Sequence, residues 1–270
     1  MPRYNLIASL AIGALGSGPL GAASPEYDCI IQARQNVEIR SPVEAVIESV
    51  RVRRGDRVSK GQILVTLESG PERAALALAR SRAEAIGEIK AAETRVDITR
   101  KKLQRAEELY KKNFMSSNAL DEADAEHKLA IEELRRAQEN RKIAELEARR
   151  AAEVLALRTI RSPFNGVVVE VLLKPGEFGA ITFKDPIMKL AEIDPLLVEV
   201  LLPVNLYGKI RMGQRATVMP EAPIGGTYET VVKIVDRVLD AASGTFGVQL
   251  ELPNKKRAIP AGVRCRVQFH

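Results

Sequence analysis

The rhythm of apolar and polar positions changes three times along these 270 residues. From Ser41 to Val58 ("SPVEAVIESVRVRRGDRV") the period is two, with Val46, Glu48, Val50 and Val52 on one side. That is the mark of half-buried strands. The same pattern returns from Ser162 to Gly179 ("SPFNGVVVEVLLKPGEFG"). Both copies open with Ser-Pro and place a Gly-acid pair fourteen residues on, at Gly55-Asp56 and Gly176-Glu177. The glycine supplies the positive φ of a tight turn, and the acid can bond its own backbone. Each copy runs on into a further short strand, "GQILVTLES" or "DPIMKLAEI". Neither copy is large enough to bury its own face, so the pair predicts one flattened β-sandwich, split in sequence.

Between the copies the period lengthens to 3.5. From Pro71 to about Asn113, and again from Ser117 to about Leu157, Ala, Glu, Arg, Lys and Leu dominate. In the first arm Ile89, Val96, Leu103 and Tyr110 alternate with Ala85, Ala92, Thr99 and Ala106. In the second, Leu120, His127, Leu134, Arg141, Ala148 and Leu155 alternate with Ala123, Ala130, Ala137, Ala144 and Ala151. Heptads of this kind predict a coiled coil. The break at Phe114–Asn118 makes the arms antiparallel, with Ser117 or Asn118 capping the second helix and Asp121 and Glu122 in its first turn. Each arm would be about 60 Å long. His127 reads as a packed seam residue, Arg141 as a seam residue snorkelling outward, and Gly87 as a weak point of about 1 kcal/mol in helix propensity.

A third rhythm begins at Pro195. "LLVEVLL", "QRATVMP", "TYETVVKIVDRVL", "TFGVQLELP" and "VRCRVQF" are separated by Gly, Pro and Asn signals, with "VNLYGKI" as a helical turn. Short strands at this spacing predict a small β-barrel, to which "DCIIQARQNVEI" adds a strand. That placement brings Cys29 near Cys265, the two cysteines of the chain. They are either a disulfide or two buried thiols.

Composition narrows the function classes. Aromatics are 4% of the chain and Trp is absent, which argues against a large aromatic-lined pocket. The formal charge of +6 is spread through mixed-sign helices without aromatic interleaving, so no nucleic-acid groove is expected. Two histidines and no Ser elbow exclude a hydrolase reading. Met and His do not cluster, so no metal site and no cofactor are expected. Residues 1–23, with Arg3, the apolar run Leu6–Leu15 and Gly21-Ala22-Ala23, read as an export signal; a retained anchor is the alternative. The run is short for a membrane span.

The order strand, half-sandwich, long hairpin, half-sandwich, barrel resembles the periplasmic adaptor subunits, or membrane fusion proteins, of bacterial tripartite efflux pumps. The matching stretches are "SPVEAVIESVRVRRGDRVSKGQIL", "TIRSPFNGVVVEVLLKPGE" and "GTFGVQLELPN…IPAGVRCRV". The resemblance implies an α+β fold: an elongated, antiparallel coiled-coil hairpin inserted into a split lipoyl-like β-sandwich, followed by a small β-barrel. The expected divisions are signal 1–23, barrel-joining strand 24–39, lipoyl-like halves 40–70 and 159–193, hairpin 71–158, and barrel 194–270. It also implies a non-catalytic, hexameric duct at the inner membrane's periplasmic face. The duct would link a transporter, proton-driven of the resistance-nodulation-division type or else ATP-driven, to a TolC-like channel.

Tip-docking adaptors carry Arg, Leu four later and Ser seven beyond, a spacing met by Arg105, Leu109 and Ser116. The resemblance makes these the channel contacts: a planar guanidinium for partner carbonyls or carboxylates, an apolar knob beside the seam, and a hydroxyl at the turn. Two departures accompany it. Many members continue past the barrel, whereas this sequence stops at His270 after the last strand pattern, which leaves the grip on the transporter open. The first repeat has Glu44-Ala45 where the second has Gly166, so a tighter or shifted turn is expected there. A biotinyl or lipoyl carrier is the enzyme-class rival, through Lys189 in "IMKL"; its Lys lies inside the second half and not at the turn such carriers use. A plain coiled-coil scaffold is another rival.

Overall fold

The computed structural model describes residues 25–179 and 186–270; the export-signal reading of residues 1–23 lies outside them. In chain order the strands of the first half are β1 (Glu26–Ile39), β2 (Ala45–Val50), β3 (Arg57–Val58) and β4 (Ile63–Leu67). Three helices follow, α1 (Gly70–Glu84), α2 (Gly87–Lys111) and α3 (Ser117–Ala156). The remaining strands are β5 (Thr159–Arg161), β6 (Gly166–Val171), β7 (Phe178–Gly179), β8 (Met188–Pro203), β9 (Arg215–Pro220), β10 (Tyr228–Val235), β11 (Thr245–Leu252) and β12 (Val263–Phe269). Two compact units result, one from Arg34 to Ile193 and one from Asp194 to His270 together with the chain up to Ala33.

In the Arg34–Ile193 unit the two repeats interlock. Gly55, at φ 89°, donates its N–H to Val168 O at 2.8 Å, and Gly176, also at φ 89°, donates to Ile47 O at 2.9 Å. Ile47 and Val168 are the same position in the two copies, so each turn is held by the strand of the other copy. Asp56 accepts from Arg53 N–H at 2.7 Å and Glu177 from Lys174 N–H at 2.8 Å, which are the local bonds expected of the acid in each turn. β2 pairs with β4 and β7, and β6 pairs with β8 and β3. The same bulge interrupts both copies, between Ile47 and Ser49 and between Val168 and Glu170. Ile47, Leu64, Leu67, Val168, Ile187 and Leu190 fill one shared core.

The first copy's turn is not shifted. Ser41 Oγ donates to Val43 O and Ser162 Oγ to Phe164 O, and the strands begin at the equivalent residues Ala45 and Gly166. A Cβ at Gly166 would come within 2.5 Å of Ala191 O and 2.7 Å of the Phe164 ring, so the second copy requires glycine. The substitution is compensated across the repeat. Ala45 faces Gly179, while Gly166 faces Val58, so each pair contains one glycine.

Within the hairpin, Thr99, Ala106, Ala123, Ala130 and Ala137 are buried at the expected seam. The first arm differs from the continuous helix expected. It is broken at Ala85 and Ile86, where Ala85 is extended (φ −68°, ψ 115°) and a new helix begins at Gly87. The seam position assigned to Ala85 is therefore exposed. Arg141 is exposed too, paired with Glu145 at 3.2 Å on its own helix, and Tyr110 lies exposed at the end of the seam.

The other unit is a six-stranded barrel in the order β1-β12-β9-β10-β11-β8, closed by pairing of β8 with β1. β11 shows strict alternation, with Phe246, Val248, Leu250 and Leu252 inside. The helical turn expected in "VNLYGKI" is a 3-10 turn at Val204–Leu206. Cys29 and Cys265 are opposite one another in the β1–β12 register, both buried, and are disulfide-bonded.

Candidate functional site

α2 ends by a specific device. Asn113 takes the left-handed conformation (φ 59°), which Asn tolerates better than most residues. Its N–H bonds Tyr110 O at 2.9 Å, and Phe114 N–H bonds Leu109 O at 2.9 Å. These are the two bonds of a Schellman motif, and they satisfy carbonyls that the helix end would otherwise orphan. The chain then straightens at Ser116 (φ −78°, ψ 156°), whose Oγ accepts from Ala119 N–H at 3.4 Å. The cap of α3 is thus Ser116 and not Ser117 or Asn118. Asp121 and Glu122 consequently lie beyond the first turn, which holds no acidic residue. The early cap follows from the tight Schellman turn, which leaves Ser116 as the residue with extended backbone opposite the free N–H groups.

The three residues singled out in sequence stand at this end of the hairpin. Arg105 is exposed and makes no ion pair among the described residues. Leu109, one helical turn on, is 41% exposed, flanking the seam position of buried Ala106 three residues before it. Ser116 is exposed, and its hydroxyl oxygen is engaged as the cap, so what it offers outward is its O–H as donor. A fourth residue escaped the sequence reading. Phe114 is 78% exposed at the turn's apex, an aromatic ring held out by the backbone bond to Leu109. The signal was present, since it is one of six phenylalanines in a chain poor in aromatics and sits in a break between polar arms.

The shaft beneath the tip is cross-braced. Lys102 Nζ bonds Glu126 at 2.6 Å and Arg95 bonds Glu133 at 3.3 Å, both between arms. The Lys102 ammonium holds the Glu126 carboxyl below its ordinary range, and the carboxylate in turn raises Lys102. His127 is packed in the seam, its Nδ1 3.1 Å from Thr99 Oγ1, whose hydroxyl also lies within reach of the Arg95 and Val96 carbonyls.

The root is built differently. Arg158, just past α3, bonds Glu72 in the first turn of α1 at 2.5 Å, with side chains only 18% and 16% exposed. A second nitrogen of Arg158 donates to Glu44 O at 3.4 Å, and Arg73 approaches Glu48 at 3.6 Å. One guanidinium therefore ties both arms to the β-domain. Lys189 lies within β8, paired with Glu170 at 3.1 Å across the sheet, and no turn presents it. Among the described residues no three His, Cys, Asp or Glu side chains converge as metal ligands, and no helix is long and apolar enough to cross a membrane.

Comparison with known proteins places this architecture. Residues 35–192 match the family model "CzcB-like, barrel-sandwich hybrid domain". A protein of Haemophilus influenzae is 24% identical over 82% of this chain and 50% of its own length. The cobalt-zinc-cadmium resistance protein CzcB of Cupriavidus metallidurans is 23% identical over 81% of this chain and 39% of its own. The chain thus spans half or less of the length of these curated relatives. The crystal structure of MacA from Actinobacillus actinomycetemcomitans superposes with a TM-score of 0.75 at 21% identity, covering 92% of this chain and 79% of that one. The chain belongs to the CzcB-like barrel-sandwich hybrid family.

Proposed function

We propose that the protein is the periplasmic adaptor of a tripartite efflux pump. Copies of it, six by family resemblance, assemble into a duct between an inner-membrane transporter and a TolC-like outer-membrane channel. The interlocked repeats act as the lipoyl-like ring of that duct. The hairpin meets the channel end-on through Arg105, Leu109 and Ser116, with Phe114 as a fourth contact. A proton-driven transporter of the resistance-nodulation-division type is the expected partner, and an ATP-driven exporter is the alternative. CzcB is named for cobalt, zinc and cadmium resistance, so cation export is the first transport activity to assay.

The observation that carries the reading is the contrast of exposure at the hairpin's end. An aromatic and a leucine are held in water at the apex of a rod about 60 Å long, by backbone bonds that leave their side chains free. Exposed anchors of this kind become useful when a partner desolvates them. The test is efflux in cells carrying Arg105→Asp or Leu109→Ser, with adaptor level and folding checked. The proposal expects export to fall to the level of a strain lacking the adaptor. Unchanged export with either variant would favour a plain scaffold with no channel contact.

A further inference from the structure

One end of the barrel presents a second surface of unusual composition. β8 ends at Pro203 and β9 begins at Arg215; β10 ends at Val235 and β11 begins at Thr245. The two connecting loops, 204–214 and 236–244, therefore leave the same end of the barrel. They are tied down by backbone bonds, Val204 N–H to Gly244 O at 3.0 Å and Gly213 N–H to Val232 O at 2.8 Å. The Tyr207 ring stands edge-on to buried Phe246, with centroids 5.2 Å apart, and anchors the first loop over the barrel interior. Asp240 Oδ1 accepts from Ala242 N–H at 2.9 Å and shapes the second loop; these bonds hold its carboxyl below the usual range.

On this fixed platform the aliphatic side chains point into water. Val238 is 85% exposed and Met212 72%, with Val204, Ile234 and Leu239 exposed beside them. Lys209, Arg211, Arg215 and Arg237 are interspersed, all exposed and without ion pairs among the described residues. The opposing carboxylates on these loops are Asp236 and Asp240, and the latter is already engaged by its own loop. Nothing in the barrel's folding requires a valine and a methionine at the tips of hydrogen-bonded polar turns. Aliphatic residues ringed by long cationic side chains are what a headgroup boundary accepts. The apolar groups enter the acyl edge, while Lys and Arg stems extend to the phosphates.

The path of the chain agrees. β1 enters at this same end, with Glu26 opposite Gln268 and Phe269 opposite Ala216. On the retained-anchor alternative, Glu26 follows the apolar run Leu6–Leu15 by eleven residues, a reach of at most about 36–40 Å. We infer that the 204–214 and 236–244 loops form a lipid-binding surface that seats the barrel on an anionic phospholipid bilayer. The inference rests on the adaptor reading for the compartment only, since its vesicle measurements need neither transporter nor channel.

The experiment is flotation of the purified protein with vesicles of phosphatidylcholine alone or of phosphatidylcholine with phosphatidylglycerol at 7:3. The protein should float with the anionic vesicles and be released by salt. Met212→Asp/Val238→Asp should abolish the preference for anionic vesicles. Arg211→Gln and Arg237→Gln should each weaken binding about fivefold, the share expected of one cation at such a surface. Circular dichroism and thermal melting of each variant should match the parent, and the two Gln variants keep the test open if the Asp pair misfolds. Equal binding by parent and variants, whether strong through the apolar N-terminal run or absent altogether, overturns the inference. So does loss of transporter co-purification in Met212→Asp/Val238→Asp when the parent ignores vesicles, because the surface then serves a protein. Failure here leaves tip docking untouched, and failure of tip docking leaves this result standing.

Discussion

The root and the tip of the hairpin are built from opposite materials. At the root a half-buried guanidinium bridges α1, the end of α3 and the β-domain, with Glu72 as its ionic partner. At the tip the order comes from backbone bonds around Asn113 and from the Ser116 cap, while the side chains are left in solvent. A change at the root should therefore be felt in stability, and a change at the tip in association. The difference teaches that exposure of Arg105, Leu109 and Phe114 at the far end costs the fold little, because the turn is held by backbone bonds and the Ser116 cap.

Breaking the root has the largest expected effect on folding. Arg158→Ala leaves the Glu72 carboxylate half-buried with no cation, and one of its oxygens already lacks a partner. Loss of a fully buried pair costs 3–5 kcal/mol, so this partly exposed one should cost about 2–3 kcal/mol, measurable by denaturant unfolding. Midway along, Ala130→Leu forces a larger side chain into a seam position that is fully buried. It should destabilise by about 1–3 kcal/mol and spread the arms. At the tip's backbone, Asn113→Ala keeps the left-handed residue but removes the side chain that tolerates it, at about 1 kcal/mol. Asn113→Gly should restore the loss. The exposed ring should matter least to folding. Phe114→Ser is expected to stay within about 0.5 kcal/mol of the parent while lowering export in the cellular assay.

The smallest effect is electrostatic. Glu126 is depressed by Lys102, so its contribution is present above its unfolded value and is lost as pH falls through its folded one. Lys102 is raised, so its contribution is present below its unfolded value and lost as pH rises through its folded one. The contribution of this pair to the melting temperature should thus be flat between the two ranges. Glu126→Gln should flatten the acid limb slightly, and high salt should do the same, since the pair is exposed.

Much of this was legible before any coordinates. The repeat announced itself through Ser-Pro and Gly-acid because those residues make local bonds that any copy of the turn must make. The Ala123, Ala130, Ala137 stripe was legible because burial of small residues at a seam leaves a periodic trace. Features that depend on partners distant in sequence were not. The compensation of Ala45 by Gly179, and of Gly166 by Val58, exists only once the copies interlock. Gly87 looked like a weak point in a continuous helix. Whether that weakness becomes a break is decided by packing, and here Ala85 and Ile86 leave the helix altogether. For Phe114 the sequence shows a rare aromatic in a break between polar arms, while the outward hold on its ring comes from the Schellman bonds of the folded turn. The channel-docking role of Arg105, Leu109 and Ser116 rests on resemblance, and what the structure adds is that Ser116 caps α3.

The central claim, that this tip meets an outer-membrane channel, is most directly tested by cross-linking in intact cells. The native cysteines are bonded to each other, so Ser116→Cys introduces the one free thiol of the described chain. A short thiol-reactive cross-linker should join that thiol to a channel protein, and the adduct should vanish when Leu109→Ser is added. An intact, folded hairpin that yields no channel adduct from position 116 would contradict the account.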